Sequence, residues 1–496
     1  MPLRPTASVA LALVFSLASF HLATADDKDA SSYNQAGSDK YAQGDLDGAI
    51  ADFNHAIALN PKMAKAYYNR GVAEYDKGNS PDAIADYNTA IKLDPDYEDA
   101  YVDRGLAKAD SNDLVGAIAD DNTALKLEPK DSYAYNNRGW AKYRNGDTDA
   151  AIADYNIAIA IDPTVSQPYN DRGVAERDKG QLAAALADYD HALQLDPNDE
   201  QTLYNRAVAR DDKGDTEGAL ADYAQAIKID PKYTDAYLGR AEIEADKNDW
   251  DTAIADYTTA AGLSPKDGTI YNERGLAWYH DGNSDQAMAD FNTALQLDPR
   301  DNFALNNRGN LRRDLGDLAG AQADYAQAMA IDAKFGNTYD NRGIVKEQQG
   351  DLAGAKADYA KALELDPKNA EAYSNLASVC NAMGDWDEAI QDSNRAIIIA
   401  HDFAQAYNNR GVAEYRKHDF DAALTDFDRA LQVDANDEHA YNNRGLVEQA
   451  KGDIESAILD FDSAIEINPQ FSPAKHNRGL AQWHEGHIVS ALEDLY

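Results

Sequence analysis

Hydrophobic and polar positions along this chain repeat with a period of 34 residues. The alanine of a recurring "AIADY" phrase falls at Ala49, Ala83, Ala117, Ala151 and so on to Ala491, fourteen times without an insertion. In the unit Ala64–Tyr97, small and aromatic residues first recur at helical spacing, the pattern breaks at Gly78-Asn79, and a second helical stretch runs to Pro95. This reads as helix, turn, helix. Each helix has only three or four turns and would be marginal alone in water, so each must bury its apolar stripe against a neighbour. The expectation is an all-α solenoid of 34-residue helix-turn-helix repeats: thirteen full repeats over residues 30–471 and a truncated fourteenth, 472–496, acting as a C-terminal cap.

Counting from the first residue of each unit, position eight is small throughout: Gly in eleven units and Ala at Ala207, Ala241 and Ala377. Two alanine columns mark the second helix, and the aromatic at position 24, such as Tyr87, is expected to fill the space between small residues. Positions four, eight and twelve are expected to pack in the first helix, leaving positions two, five, six, nine and thirteen on or beside its other face.

These features resemble the tetratricopeptide-repeat family, in the modified form Tyr67, Arg70-Gly71, Tyr75, Ala83, Tyr87 and Pro95. The resemblance covers residues 30–496 and implies a right-handed α-α superhelix whose concave groove holds partner proteins. Three departures stand out. Arg replaces the family's leucine in twelve units, the first-helix aromatic falls one residue later, and Asp precedes the second-helix aromatic in all fourteen.

The Arg and Asp columns, Arg70, Arg104, Arg138 and Arg172 with Asp86, Asp120, Asp154 and Asp188, suggest a structural ladder of fork-shaped ion pairs. Sequence leaves two registers open. Pairing within a unit fails at Ala36 and Leu376; pairing between units fails where Asp358 would meet Leu376.

Asparagine recurs at position six as Asn69, Asn137, Asn205, Asn307, Asn341, Asn375, Asn409, Asn443 and Asn477, and also at position five. The position-six column is similar to the asparagine ladder of O-GlcNAc transferase, which implies a groove for the backbone of an extended peptide. Asparagines that bridge adjacent repeats fit the pattern as well.

Charge narrows the partners. With 46 Lys and Arg against 87 Asp and Glu, the net charge is −41, and such a surface repels phosphate. Nucleic acid is not expected; a protein or peptide is. The first residues, MPLRPTASVALALVFSLASFHLATA, read as a secretory signal over 1–25, followed by an acidic lead-in at 26–29. The chain is therefore expected to be exported, periplasmic or secreted, without membrane insertion once the signal is cleaved. The single cysteine, Cys380, permits no intrachain disulfide and is expected to be a buried, inert thiol in the most divergent unit, 370–403.

His484-Glu485-Gly486-His487 lacks the spacing of a zinc-protease helix, and Asp281–Asp285 lacks the glycine of a calcium loop, so neither metal nor cofactor is expected. No nucleophile set or phosphate-cradling loop stands apart from the repeat. The functional expectation is a non-enzymatic, exported scaffold or adaptor that binds extended protein segments. The alternative is a self-associating structural scaffold using its array ends or convex face.

Overall fold

The computed structural model describes residues 25–495, and the expected signal segment lies outside them apart from Ala25. The described residues form twenty-eight helices, α1 (Ala25–Ala42) to α28 (Ile488–Leu495), two per repeat. The lead-in at 26–29 belongs to α1. Residues up to Leu263 form one compact unit of seven helix pairs, ending at α14 (Trp250–Leu263). Residues from Ser264 form a second unit of seven, beginning at α15 (Gly268–His280).

The local signals act as their chemistry requires. Between α3 (Ala64–Asp76) and α4 (Ser80–Leu93) the turn needs a left-handed residue, and Gly78 supplies φ 87°. Asn112, Asn248 and His418 take the same conformation where glycine is missing. Aspartate one residue later often caps the second helix, as when Asp113 accepts from the Gly116 backbone N–H.

Within each unit the core runs as columns. Ala66, Ala73, Ala83 and Ala90 are fully buried, as are most of their equivalents, and the aromatics Tyr155, Tyr189, Phe291, Tyr325, Tyr359, Phe427 and Phe461 are sealed from solvent. Position eight faces this ring. A Cβ on Gly139 would lie 2.6 Å from Tyr155, and one on Gly71 2.8 Å from Tyr87. Glycine is needed there for close approach. Where position eight is Ala207, the Tyr223 ring instead approaches Gly239 of the next repeat, so that a Cβ there would meet it at 2.5 Å. Where it is Ala377, the ring is replaced by Ser393.

The first-helix packing set differs from expectation. Positions three, eight and ten (Ala66, Gly71, Ala73) are buried, whereas Tyr67 and Tyr75 at positions four and twelve are half-buried. The reason is that two helices, not one, press on each first helix. Its own second helix covers position eight, and the neighbouring repeat covers the small side chains flanking it.

Candidate interaction surface

The arginine column is built on paired carboxylates. Arg70 donates from Nε to Asp86 Oδ2 at 2.8 Å and from Nη2 to Oδ1 at 2.6 Å. Arg104 does the same to Asp120, Arg138 to Asp154 and Arg172 to Asp188, with all distances between 2.6 and 2.8 Å. The pairs therefore lie within a repeat. The remaining arm crosses to the preceding repeat, where Arg104 Nη1 donates to Asn88 Oδ1 at 2.6 Å and Arg138 Nη1 to Asn122 at 2.8 Å. These four guanidinium groups also lie over the position-four tyrosine of their own helix, 5.1 Å from the Tyr135 centroid for Arg138. Three helices are pinned by one side chain.

Sequence reasoning missed the residue that takes that third arm. It sits at position 25, directly after the aromatic, and its signal was present as the recurring Asp-Tyr-Asn of 86–88 and 154–156. Position eleven was missed as well. Lys108, Lys142 and Lys346 place a second cation 2.7 Å from Asp120, Asp154 and Asp358. In the first repeat, where Ala36 replaces the arginine, Lys40 holds Asp52 alone at 2.7 Å. Other repeats put glutamate at position eleven. There burial and the neighbouring aspartate push the carboxyls of Glu414 and Glu448 up to about 7.

The asparagine column bridges repeats. Asn69 Nδ2 donates to Asn34 Oδ1 at 3.1 Å, Asn205 to Asn170 at 2.8 Å, Asn307 to Asn272 at 3.1 Å and Asn341 to Asn306 at 3.0 Å. Asn443 donates to Asn408 at 3.0 Å and Asn477 to Asn442 at 2.8 Å. Asn375 donates to Asp340 and Asn409 to Ser374, whereas Asn137 stands opposite Val102, which has no side-chain acceptor. Position five is therefore not a groove position. Asn136, Asn170, Asn272 and Asn306 are buried between repeats, because the next first helix closes over them. Position six is half-buried at most of these sites; at Asn307, Asn341 and Asn477 the rung uses one N–H of the amide, leaving the other N–H and the oxygen, whereas Asn205 Oδ1 also accepts from Gln201 at 3.4 Å and Asn443 Oδ1 from Asn442 at 3.5 Å.

The rest of this face is mainly acidic or neutral, with Lys65 at position two and Arg144 and Arg416 at position thirteen as basic exceptions. Asp103, Asp171 and Glu273 occupy position six where asparagine is absent, and Asp340 takes the place of asparagine at position five. Asp76, Asp110, Asp178 and Asp314 at position thirteen accept from Tyr41, Tyr75, Tyr143 and Tyr279 of the preceding repeats. Burial pushes Asp171 and Asp340 up to about 6, opposed by the amides that donate to them. Val72, Leu106, Trp140, Val174 and Leu276 at position nine are half-buried at the edge of the core.

Family models described as tetratricopeptide repeat match residues 34–98, 132–165, 204–302, 304–335, 347–408, 404–437 and 438–471, and one described as TPR repeat matches 173–210. Together they span more than half of the chain. The chain belongs to the tetratricopeptide-repeat family. Among solved structures, this repeat protein is similar to the one titled "Crystal structure of APC/C hetero-tetramer Cut9-Hcn1", at 15% identity and TM-score 0.52, over 91% of this chain and 96% of that one. That likeness shows the shared fold. A tetratricopeptide repeat protein from Parabacteroides merdae ATCC 43184 matches at 21% identity and TM-score 0.42, over 50% of this chain and 98% of that one. YrrB, titled a TPR protein with an unusual peptide-binding site, matches at 25% identity and TM-score 0.31, over 38% of this chain and 96% of that one. A comparison with curated proteins finds no match. No described helix of this tetratricopeptide-repeat protein is long and apolar enough to cross a membrane.

Proposed function

We propose that this protein is a non-enzymatic adaptor whose first-helix face holds extended, neutral-to-cationic protein segments. The observation that carries the reading is the rung geometry of the position-six asparagines. At Asn307, Asn341 and Asn477 the amide is fixed by one hydrogen bond to the repeat before it, so its remaining donor and acceptor recur in a constant orientation. An extended backbone offers N–H and C=O groups at regular intervals, and side chains held in place beforehand lose little entropy on binding it. The carboxylates beside the rungs favour a partner that is not acidic.

The arginine column supports the same division of labour. In most repeats its donors are committed to a carboxylate and to position 25, so the column holds repeats together; only Arg240 and Arg342, which face Ala224 and Ala326, lack a side-chain acceptor at that position. Replacing Asn307, Asn341, Asn409 and Asn443 together by Ala tests the proposal. The variant is expected to keep its helical circular dichroism and lose capture from a library of extended peptides. Undiminished capture rejects the asparagine face.

Export belongs to the same proposal and is supported by residues 1–25 alone. Protein recovered from the extracytoplasmic fraction is expected to begin at Asp26; retention in the cytoplasm with Met1 in place contradicts it.

A further inference from the structure

The divergent repeat 370–403 has lost the cations that serve its aspartate. In twelve repeats the position-23 carboxylate is gripped by an arginine, and in several a position-eleven lysine or arginine joins it. Here Leu376 replaces the arginine and Cys380 the second cation, leaving Asp392 Oδ2 buried without a hydrogen-bond partner. Glu388 lies four residues before Asp392, on the same face of α22 (Trp386–Ile399). Cys380 of α21 (Ala370–Met383) is wholly shielded from solvent. One ligand atom from each of the three lies within 4.8 Å of the others.

We infer that Cys380, Glu388 and Asp392 form a three-ligand site for a divalent metal, with zinc the best fit. Thiolate sulfur selects a borderline-soft ion over magnesium or calcium, and two carboxylates suit zinc better than copper(I). Three protein ligands leave a fourth position for water. The Glu388 side chain is 47% exposed, which gives the ion a way in.

The surrounding charges agree. Lys356, on α20 (Leu352–Leu365), places Nζ 2.7 Å from Glu388 Oε2 and 3.0 Å from Asp385 Oδ2, so its ammonium is committed to those two. Arg395 also faces Asp392, from its own helix. A divalent ion, a thiolate, two carboxylates and the Lys356 ammonium sum to neutrality, whereas the metal-free site with its neutral thiol keeps an excess negative charge. Consistent with that excess, burial and the nearby carboxylates push the Cys380 thiol up to about 12 and burial pushes Asp392 up to about 6. On binding, the metal displaces the thiol proton to solvent and takes the sulfur electron pair; no bond to carbon changes and no oxidant is needed.

Because Cys380 is the only cysteine, any thiolate signal belongs to it. The test is titration of the metal-free, full-length protein with cobalt(II), followed by zinc. A thiolate-to-cobalt charge-transfer band, saturating at one equivalent and bleached by zinc, is expected, with one proton released. Cys380→Ala should remove the band, and Asp392→Asn should weaken zinc by about tenfold or more, both with unchanged circular dichroism. No charge-transfer band in the wild type overturns the site, as does one-equivalent zinc binding that both variants leave intact.

Discussion

Arg274 and Asp290 are joined by two hydrogen bonds of 2.7 Å, Nε to Oδ2 and Nη2 to Oδ1, and position eleven of that repeat is Trp278, so no second cation from that position backs the carboxylate. Asp290 is 7% exposed. Arg274→Ala leaves this carboxylate buried without its principal partner and is expected to destabilise the repeat by about 3–5 kcal/mol. Exchanging both residues, Arg274→Met with Asp290→Leu, is expected to recover most of that loss. Amide hydrogen exchange over α15 and α16 (Ser284–Leu297) is the suitable readout, because arrays open repeat by repeat. Equal losses in the single and double variants would contradict the pairing.

Gly139→Ala is expected to destabilise its repeat by about 1–3 kcal/mol, because the new methyl would stand 2.6 Å from the Tyr155 ring. Thermal unfolding of the variant checks it, and an unchanged midpoint would mean that the ring yields freely.

Asp121 stands where an aromatic belongs in the repeat 98–131. It is 1% exposed, neither carboxylate oxygen has a partner, and burial beside Asp120 raises its pKa well above the ordinary value. Asp121→Tyr restores the packing used by neighbouring repeats and removes a buried orphan. It is expected to stabilise the protein by about 1–3 kcal/mol, read by denaturant unfolding.

Stability should fall as pH rises through neutrality. Glu414 is raised to about 7 and Asp340 to about 6 in the folded protein, both by burial. A carboxyl whose folded pKa lies above its unfolded value binds its proton more tightly when folded. Its contribution is therefore complete below the ordinary carboxylate range and lost as pH climbs through the folded value. Unfolding followed from about pH 5 to 8 should show the decline, and Glu414→Gln should flatten it. A slope unchanged in Glu414→Gln would remove Glu414 from the account.

The period, the paired helices and the alanine and aromatic columns were legible in sequence because small residues must recur wherever backbones approach closely. The arginine register was not. Asp86 and Asp52 are both one helix away from Arg70 in a linear reading, and only the packing shows that the fork takes Asp86 while Nη1 takes Asn54. The position-five asparagines looked like groove residues because helical periodicity sees one helix at a time, and Asn136 and Asn306 are buried by the repeat that follows. Cys380 reads as a core thiol in sequence, and so it is; that Glu388 and Asp392 reach it depends on how two helices meet.

The central claim is that the first-helix face, and not the second, receives the partner. Amide hydrogen exchange on the full chain, with and without a captured extended peptide, tests it most directly. The account predicts slowed exchange and crosslinks concentrated in first helices such as α17 (Asn302–Asp314), α19 (Gly336–Gln348), α23 (Ala404–Arg416) and α25 (Glu438–Lys451). Protection confined to the second helices, with crosslinks on their exposed sides, would contradict it.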